Sequence, residues 1–599
     1  MSAAPPRPAV NFVLREVRIQ DFRALRDFHI EVHESTTVLI GANNSGKTSL
    51  LDALASVFGG RPSNDDDLHV DAAAQRADSF QVDAKFEPGG AATQFDPDSR
   101  NLLAQAIRPP TPPAGREFFV LRTIGQHSAE GSALSITRSF LPAFASDRVG
   151  AAQIAVLPQR PQRQVLELIE YSYIDARRDI IAELRNRTSN WGRILASIGV
   201  DEQTKIQLEG QLSQLSQDIV SASSVLASLT EALERVKQAM AAGVDSVTVT
   251  PLPVKLDELL RSTDILVTAP ASAPIPMRLQ GAGGRSLSAL MVFRAFVDIR
   301  LGLDRPVQPL AISGIEEPEA HLHPQAQRAV MRQLELIGGQ KLVSTHSPYA
   351  AGMADLWSIR VLRRWGAEVK ARRVTVLLTA EELTNVERFV RRRNGEILFA
   401  RLVVVYEGHT EDAAIAEFAA HHWPAPPPEA LGISFVNAEG AGGFKAIVPV
   451  LDNLGIPWRL LADGDPAGLN AINSIGSALG RQIVPSQDAI VLAGGHSFET
   501  MLVALGYQAE IETGIEAYFG TGALAGYKQR ADGQPYAGGL GNRDYIGPGW
   551  QDRLLRDFLV AHKGTYGAAI AAAIIASGKG IPQPILDLFG LCDAILAVP

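Results

Sequence analysis

Cysteine is nearly missing: Cys592 stands alone among 599 residues, which excludes an intrachain disulfide framework and a cysteine-rich zinc site and fits a reducing cytosol. Positive charge is also in short supply. Lys and Arg total 56 against 65 Asp and Glu, for a net charge of -9, so a uniformly basic nucleic-acid coat is excluded and any DNA contact must be local. Long apolar runs are absent too. The opening MSAAPPRPAV has no signal-type apolar core, and the late stretch YGAAIAAAIIASG is too short and too rich in Gly and Ala to span a bilayer. A cytoplasmic protein without membrane contact is expected. What the chain does have is bulk: 46% hydrophobic and 20% charged residues predict a large core divided among two to four domains.

The opening FVLREVRIQDFRALRDFHIEV alternates apolar and polar residues, and TTVLIG follows as a continuous apolar run ended by glycine, a pattern of strands with the last one buried. In GANNSGKTSLLDALASVF, Leu50, Leu51, Leu54 and Phe58 fall at helical spacing, so a glycine-rich turn joins that strand to a helix. Proline-rich stretches at AIRPPTPPAG and HHWPAPPPEA read as loops, and a new strand, acidic turn and helix begin near Arg401, which predicts a domain boundary near residue 395. From Leu208 through Leu226 and Leu229 to Met240, apolar residues step by 4 and 3, the period of a coiled-coil seam on one long helix. Both half of a helical hairpin within the chain and a seam between two chains satisfy that period.

The string Gly41-Ala42-Asn43-Asn44-Ser45-Gly46-Lys47-Thr48, followed by Ser49, fits the P-loop pattern in full and sits between a strand and a helix. Its amides would surround the phosphates of ATP, Lys47 would reach the β and γ phosphates, and Thr48 would ligate Mg²⁺. In PLAISGIEEPEAHLHPQAQ an apolar strand leads into Glu316, which suits Mg²⁺ held through water, and Glu317, which suits polarisation of the attacking water. KLVSTHSPYA repeats strand then polar end, with His346 placed to touch the γ-phosphate. In LQGAGGRSLSALM the glycines Gly281, Gly283 and Gly284 precede an apolar helix, a second phosphate-facing helix start.

This order of P-loop, glycine-rich signature, Glu-Glu and histidine resembles the ABC-type ATPases of the SMC and RecF group, in which a helical insertion separates P-loop from signature. The resemblance implies that Gly283, Gly284 and Arg285 of one subunit close over ATP held by Lys47 of another.

Farther on, RLVVVYEGHTEDAAIAEFAA places Glu407 after a strand and Glu411 at a helix start, and RLLADGDPAG ends another strand in Asp463 and Asp465. Acids at the carboxyl ends of neighbouring parallel strands converge where α/β sheets bind ligands. Hard oxygen donors point to Mg²⁺ or Mn²⁺ over zinc. The pattern resembles the Toprim domain, and EGHTE is similar to that of the OLD (overcoming lysogenization defect) family of ATP-dependent nucleases, an ABC ATPase fused to a Toprim nuclease.

That resemblance implies an α/β chain with an ABC-type ATPase over 1–165 and 246–395, a helical, dimerising insertion over 166–245, and a Toprim nuclease domain over 396–599. It implies that Glu407, Glu411, Asp463 and Asp465 bind two metal ions, that Glu499 in HSFETML completes one site, and that Lys563 in HKGTYG neutralises the scissile phosphate, with Lys579 the competing choice. One ion would then activate water and the other stabilise the leaving 3′ oxygen. The implied partners are DNA, a second copy of the chain as homodimer or dimer of dimers, and a helicase-like protein, in a role of defence against phage or plasmid DNA. Between Arg360 and Arg401 there are 11 Lys/Arg against five acids, including Arg391, Arg392 and Arg393, the best local candidate for phosphate contact. Tyr536 and Tyr545, in a glycine-rich loop, read as surface structure or substrate contact. The rival class is a RecF-like DNA-binding ATPase with an inert Toprim domain.

Overall fold

The computed structural model describes residues 10–59, 61–110, 115–128, 131–176, 200–229, 250–253, 255–256, 266–268, 274–302, 308–392, 395–536, 541–564 and 566–597. Its first sheet is antiparallel, with the strands Leu25–Glu31, Phe12–Phe22, Ser79–Pro88, Phe119–Ser128 and Gly131–Leu141 in that spatial order. The second has six strands in the order Glu368–Arg372, Ile359–Trp365, Thr36–Ile40, Gln340–Thr345, Leu310–Glu316 and Ile169–Ile174, parallel except for the outermost pair at the Glu368–Arg372 edge.

The helix Lys47–Phe58 lies between these two sheets and is buried nearly all round. Alternation explains how the strand before it serves two layers. Leu39 packs with Leu50, Leu51 and Leu54, while Val38 and Ile40 face the helices Ala282–Gly302 and Pro324–Glu335 on the other side. The strand Leu310–Glu316 is buried at every position, as a parallel strand covered on both faces must be. Pairing of Thr345 with Ile40 and of Glu316 with Ser344 brings the P-loop, the Glu-Glu pair and His346 to one sheet edge.

The third sheet is wholly parallel, with Ile433–Asn437, Leu402–Tyr406, Trp458–Ala462 and Ala489–Val491 in order. Leu402, Val404 and Tyr406 face the helices of the last third, whereas Val403 and Val405 join the same apolar core as Val38, Phe293 and Val343. A single core therefore runs from the six-stranded sheet into the third one. The helix Ala380–Arg392 lies across this junction, with Lys445 Nζ 2.9 Å from Glu382 and Arg388 3.6 Å from Glu439.

Three expectations need correction. The helix Glu202–Ala222 stops at Ser223, whose backbone is extended and whose Oγ accepts the amide of Leu226, so Ser223 caps a second helix that starts at residue 224. The heptad from Leu233 onward lies outside the described residues. Gly283 and Gly284 lie inside the first turn of the helix Ala282–Gly302 instead of preceding it. Tyr545 is buried, and its hydroxyl and that of Tyr536 donate to Asp557 Oδ2 at 2.8 and 2.9 Å, so the pair anchors its loop. No helix among the described residues is long and apolar enough to cross a membrane.

Candidate functional sites

The turn after Ile40 leads through two glycines into the helix Lys47–Phe58. Gly46 adopts φ +90°, and a Cβ there would lie 2.7 Å from the side chain of Leu25, so any other residue would be strained as the helix begins. Asn43 and Asn44 are exposed on the turn, while Ser45, Lys47 and Ser49 are buried. Lys47 Nζ donates to the carbonyls of Gly41 at 2.8 Å and Ala42 at 2.9 Å and to Ser45 Oγ at 3.2 Å. Burial pulls its pKa down to about 8, against the pull of Glu317, Glu316 and Glu319.

Glu316 meets the turn directly, because Thr48 Oγ1 donates to its Oε1. A hydroxyl and a carboxylate paired at the phosphate end are the oxygen donors that Mg²⁺ takes. The other oxygen of Glu316 accepts from Tyr173 Oη at 2.9 Å. Sequence reading missed Tyr173, because only the pairing of Ile169–Ile174 with Leu310–Glu316 brings it there. Glu317 holds φ +43°, an uncommon backbone state for a side-chain-bearing residue. His346 Nε2 lies 3.7 Å from Glu317 Oε1, and burial and then Lys47 lower the imidazole pKa, which favours its neutral form.

Glu319 was also missed. Its Oε1 accepts from Thr345 Oγ1 at 2.7 Å, from the His346 amide at 3.0 Å and from the Ser347 amide at 3.2 Å, so it fixes the backbone that carries His346. Burial raises its pKa, and Oε2 has no hydrogen-bond partner among the described residues. Gly283 backs onto the same loop: a Cβ there would fall 2.9 Å from the His321 carbonyl. Neither Gly283 nor Gly284 lines the cleft over Lys47.

The acids of the third sheet gather at its carboxyl edge. Glu407 Oε1 accepts the Asp463 amide at 3.0 Å, and Asp463 Oδ1 accepts the Phe498 amide at 3.1 Å. Glu499 is buried, with Oε1 accepting from Thr410 Oγ1 and Oε2 from Ser497 Oγ, both at 2.9 Å. Asp465 Oδ1 caps the helix Pro466–Leu479 through the Gly468 amide at 2.8 Å. Burial and then Glu499 push Glu411 up to about 8, and burial with Glu407 and Glu499 pushes Asp463 up to about 7.

These acids repel one another, and a cation relieves that repulsion. The donors are all oxygen, which fits Mg²⁺ or Mn²⁺. As the side chains stand, no three such groups among the described residues converge on one point. Lys563 Nζ is 3.6 Å from Glu499. Burial pulls the ammonium pKa down, but Glu499, Glu411 and Asp463 outweigh it and raise the value. Lys579 is engaged elsewhere, 3.6 Å from Glu510 and over the ring of Tyr507.

The basic stretch is not one surface. Arg360 is buried against the carbonyls of Glu31, Trp357 and Ile359, and Arg363 donates to the Ala400 carbonyl. Arg360 is therefore removed from any exposed face, Arg363 is half-buried at the wall of the cleft over the P-loop, and the side chains of 391–393 lie outside the described residues.

The sequence matches the family model "Overcoming lysogenization defect protein-like, TOPRIM domain" over residues 398–465 and that of an AAA ATPase domain over 13–100 and 156–351. It is 29% identical over 205 residues to "Uncharacterized protein YbjD" of Escherichia coli (strain K12), covering 33% of this chain and 36% of that protein. It is 31% identical over 200 residues to "OLD nuclease" of Thermus scotoductus (strain ATCC 700910 / SA-01), covering 31% of this chain and 35% of that protein. The chain thus spans about a third of the length of these curated relatives. Among solved structures, the C-terminal region of the Burkholderia pseudomallei OLD protein aligns with 21% identity and a TM-score of 0.25, over 33% of this chain and 99% of that one. Glu407, Glu411, Asp463 and Asp465 fall within the TOPRIM match, and Glu499 and Lys563 lie beyond it.

Proposed function

We propose that this chain, an AAA ATPase domain joined to an OLD-like TOPRIM domain, is an ATP-regulated, divalent-metal-dependent DNA endonuclease of prokaryotic defence against phage or plasmid DNA. The observation that carries the reading is the presence of two separate acid sites in one chain, Thr48 with Glu316 at the P-loop and Glu407, Glu411, Asp463 and Glu499 around Lys563.

In the first site, Lys47 and the turn amides bind the triphosphate, Thr48 and Glu316 would hold Mg²⁺, and Glu317 orients the attacking water with His346 beside it. In the second, Glu407, Glu411, Asp463, Asp465 and Glu499 would hold Mg²⁺ or Mn²⁺, whose charge would activate water and stabilise the departing 3′ oxygen of a phosphodiester. Lys563 offsets charge on the phosphate under attack. DNA, a second copy of the chain, a helicase-like partner, a cytoplasmic location and the division into 1–165, 166–245, 246–395 and 396–599 belong to the same proposal.

One observation favours the rival, a RecF/SMC-like DNA-binding ATPase with a non-cleaving Toprim domain: among the described residues no three acids converge on one point as they stand. Incubating the purified protein with supercoiled and linear DNA, with Mg²⁺ or Mn²⁺, with and without ATP, separates the two. Nicked or linear products that vanish on chelation support the nuclease. ATP turnover and DNA binding with intact DNA throughout support the rival.

A further inference from the structure

The cleft over the P-loop continues well past the phosphates. From Lys47 and Thr48 it runs along Arg364 and Trp365 to Arg401, Pro457 and Ile595, enclosing about 1370 Å³. A typical small-molecule site occupies roughly 300–1,000 Å³. Arg401 and Pro457 lie within the TOPRIM match, and Ile595 is on the helix Gln583–Leu596. A nucleotide seated by its phosphates on one domain therefore has room to lay its remaining part beside the other.

The chemistry of the far end suits a nucleoside. Trp365 is 42% exposed and Arg364 is exposed at the end of the strand next to the P-loop strand. An indole and a guanidinium are planar surfaces on which a purine stacks. Trp365 is also held from the TOPRIM side, since a Cβ at Gly455 would lie 3.2 Å from the indole edge. Arg401 is exposed, with its guanidinium 3.4 Å from the Leu596 carbonyl, and links the turn before the strand Leu402–Tyr406 to the last helix. Arg363, turned inward to the Ala400 carbonyl, fixes the two walls relative to each other.

We propose that the base and ribose of the nucleotide are held between Trp365 on one side and Arg401 and Pro457 on the other, so that nucleotide binding joins the ATPase and TOPRIM domains through a shared subsite. The inference rests on the ATP reading of the P-loop, and the test keeps the two apart.

Equilibrium binding of Mg²⁺–ATP and of Mg²⁺–tripolyphosphate is compared for the full chain and for Lys47→Ala, Trp365→Ala, Trp365→Phe and Arg401→Ala. Trp365→Ala and Arg401→Ala should each weaken ATP binding by about tenfold, the scale of one stacking or charged contact, and leave tripolyphosphate unchanged. Trp365→Phe, which keeps an aromatic face and controls for misfolding, should recover most of the ATP affinity. Lys47→Ala should weaken both ligands. Equal effects of Trp365→Ala and Arg401→Ala on both ligands, or none on either, overturn the shared subsite and move the base toward Ala24 at the other lip of the cleft. A Lys47→Ala protein that binds both ligands normally overturns the P-loop reading instead.

Discussion

Lys563 Nζ stands 3.6 Å from Glu499 Oε2, a carboxylate that is almost fully buried. A buried carboxylate beside the raised pKa values of Glu411 and Asp463 is costly unless cations sit near it. The lysine is one such cation, and it reaches the cluster from a segment far along the chain. It approaches from solvent, half exposed, where a phosphate would also arrive.

Asp463→Ala should abolish DNA cleavage, by about 10²–10³-fold or more, the scale of losing one oxyanion or metal contact, and leave ATP turnover intact. Because Asp463 Oδ1 also accepts the Phe498 amide, Asp463→Asn is the better-controlled variant, keeping that acceptor while removing the charge. Gel assays of plasmid conversion check both variants. Wild-type cutting by a folded Asp463→Asn protein would remove the TOPRIM acids from the chemistry.

Glu317→Gln should still bind ATP and hydrolyse it slowly, with kcat reduced by about 10²-fold or more. Phosphate release under saturating ATP gives the answer. Unchanged turnover would dismiss Glu317 as the residue that positions water.

Glu319→Ala leaves three donors, Thr345 Oγ1 and the amides of His346 and Ser347, without their shared acceptor. Each lost acceptor costs about 1–3 kcal/mol when buried, so the variant should unfold at lower urea and turn over ATP poorly. Glu319→Gln keeps a carbonyl oxygen for the same donors and should restore much of both. If Glu319→Ala matches wild type in urea melts and in ATPase rate, the residue has no positioning role.

The pKa of Glu411 lies at about 8 in the fold against an ordinary 4.5, so the folded state holds this proton where the unfolded chain has released it. Stability of the metal-free protein should fall as pH rises from about 4.5 through 8, by roughly 2–5 kcal/mol, and the penalty is complete above the folded value. Glu411→Gln should remove this part of the pH dependence, and Mn²⁺ added at pH 8.5 should restore wild-type stability. Melting curves at pH 5.5 and 8.5 with chelator decide: identical pH slopes for wild type and Glu411→Gln would refute the assignment.

Local patterns carried much of this structure. The strand before Gly41, the helix after Gly46 and the strands leading to Glu316, Glu407 and Asp463 were legible, because each is a short apolar run closed by a turn residue. The partners of those residues were not. Tyr173 reaches Glu316 through strand register, and Glu319 reaches the His346 amide through a loop that doubles back. The break at Ser223 was hidden for another reason. The apolar spacing continues in phase across it, yet a serine hydroxyl that caps the next helix competes with continuing the first. Arg360 and Arg363 count as positive charge in a sequence, and only the folded contacts reveal that they serve backbone carbonyls.

The apolar core that contains Val38 and Val343 also contains Val403, Val405 and Leu460. A chain cut near residue 395 would bare two complementary greasy faces, one on each fragment. Calorimetry of the intact protein should then show one endotherm where two tethered modules would give two, and the fragments should be sticky alone and more tractable when produced together. Heat, denaturant or a misplaced core substitution on either side would silence both activities at once, so loss-of-function variants outside the acid sites should rarely separate ATP turnover from DNA cleavage.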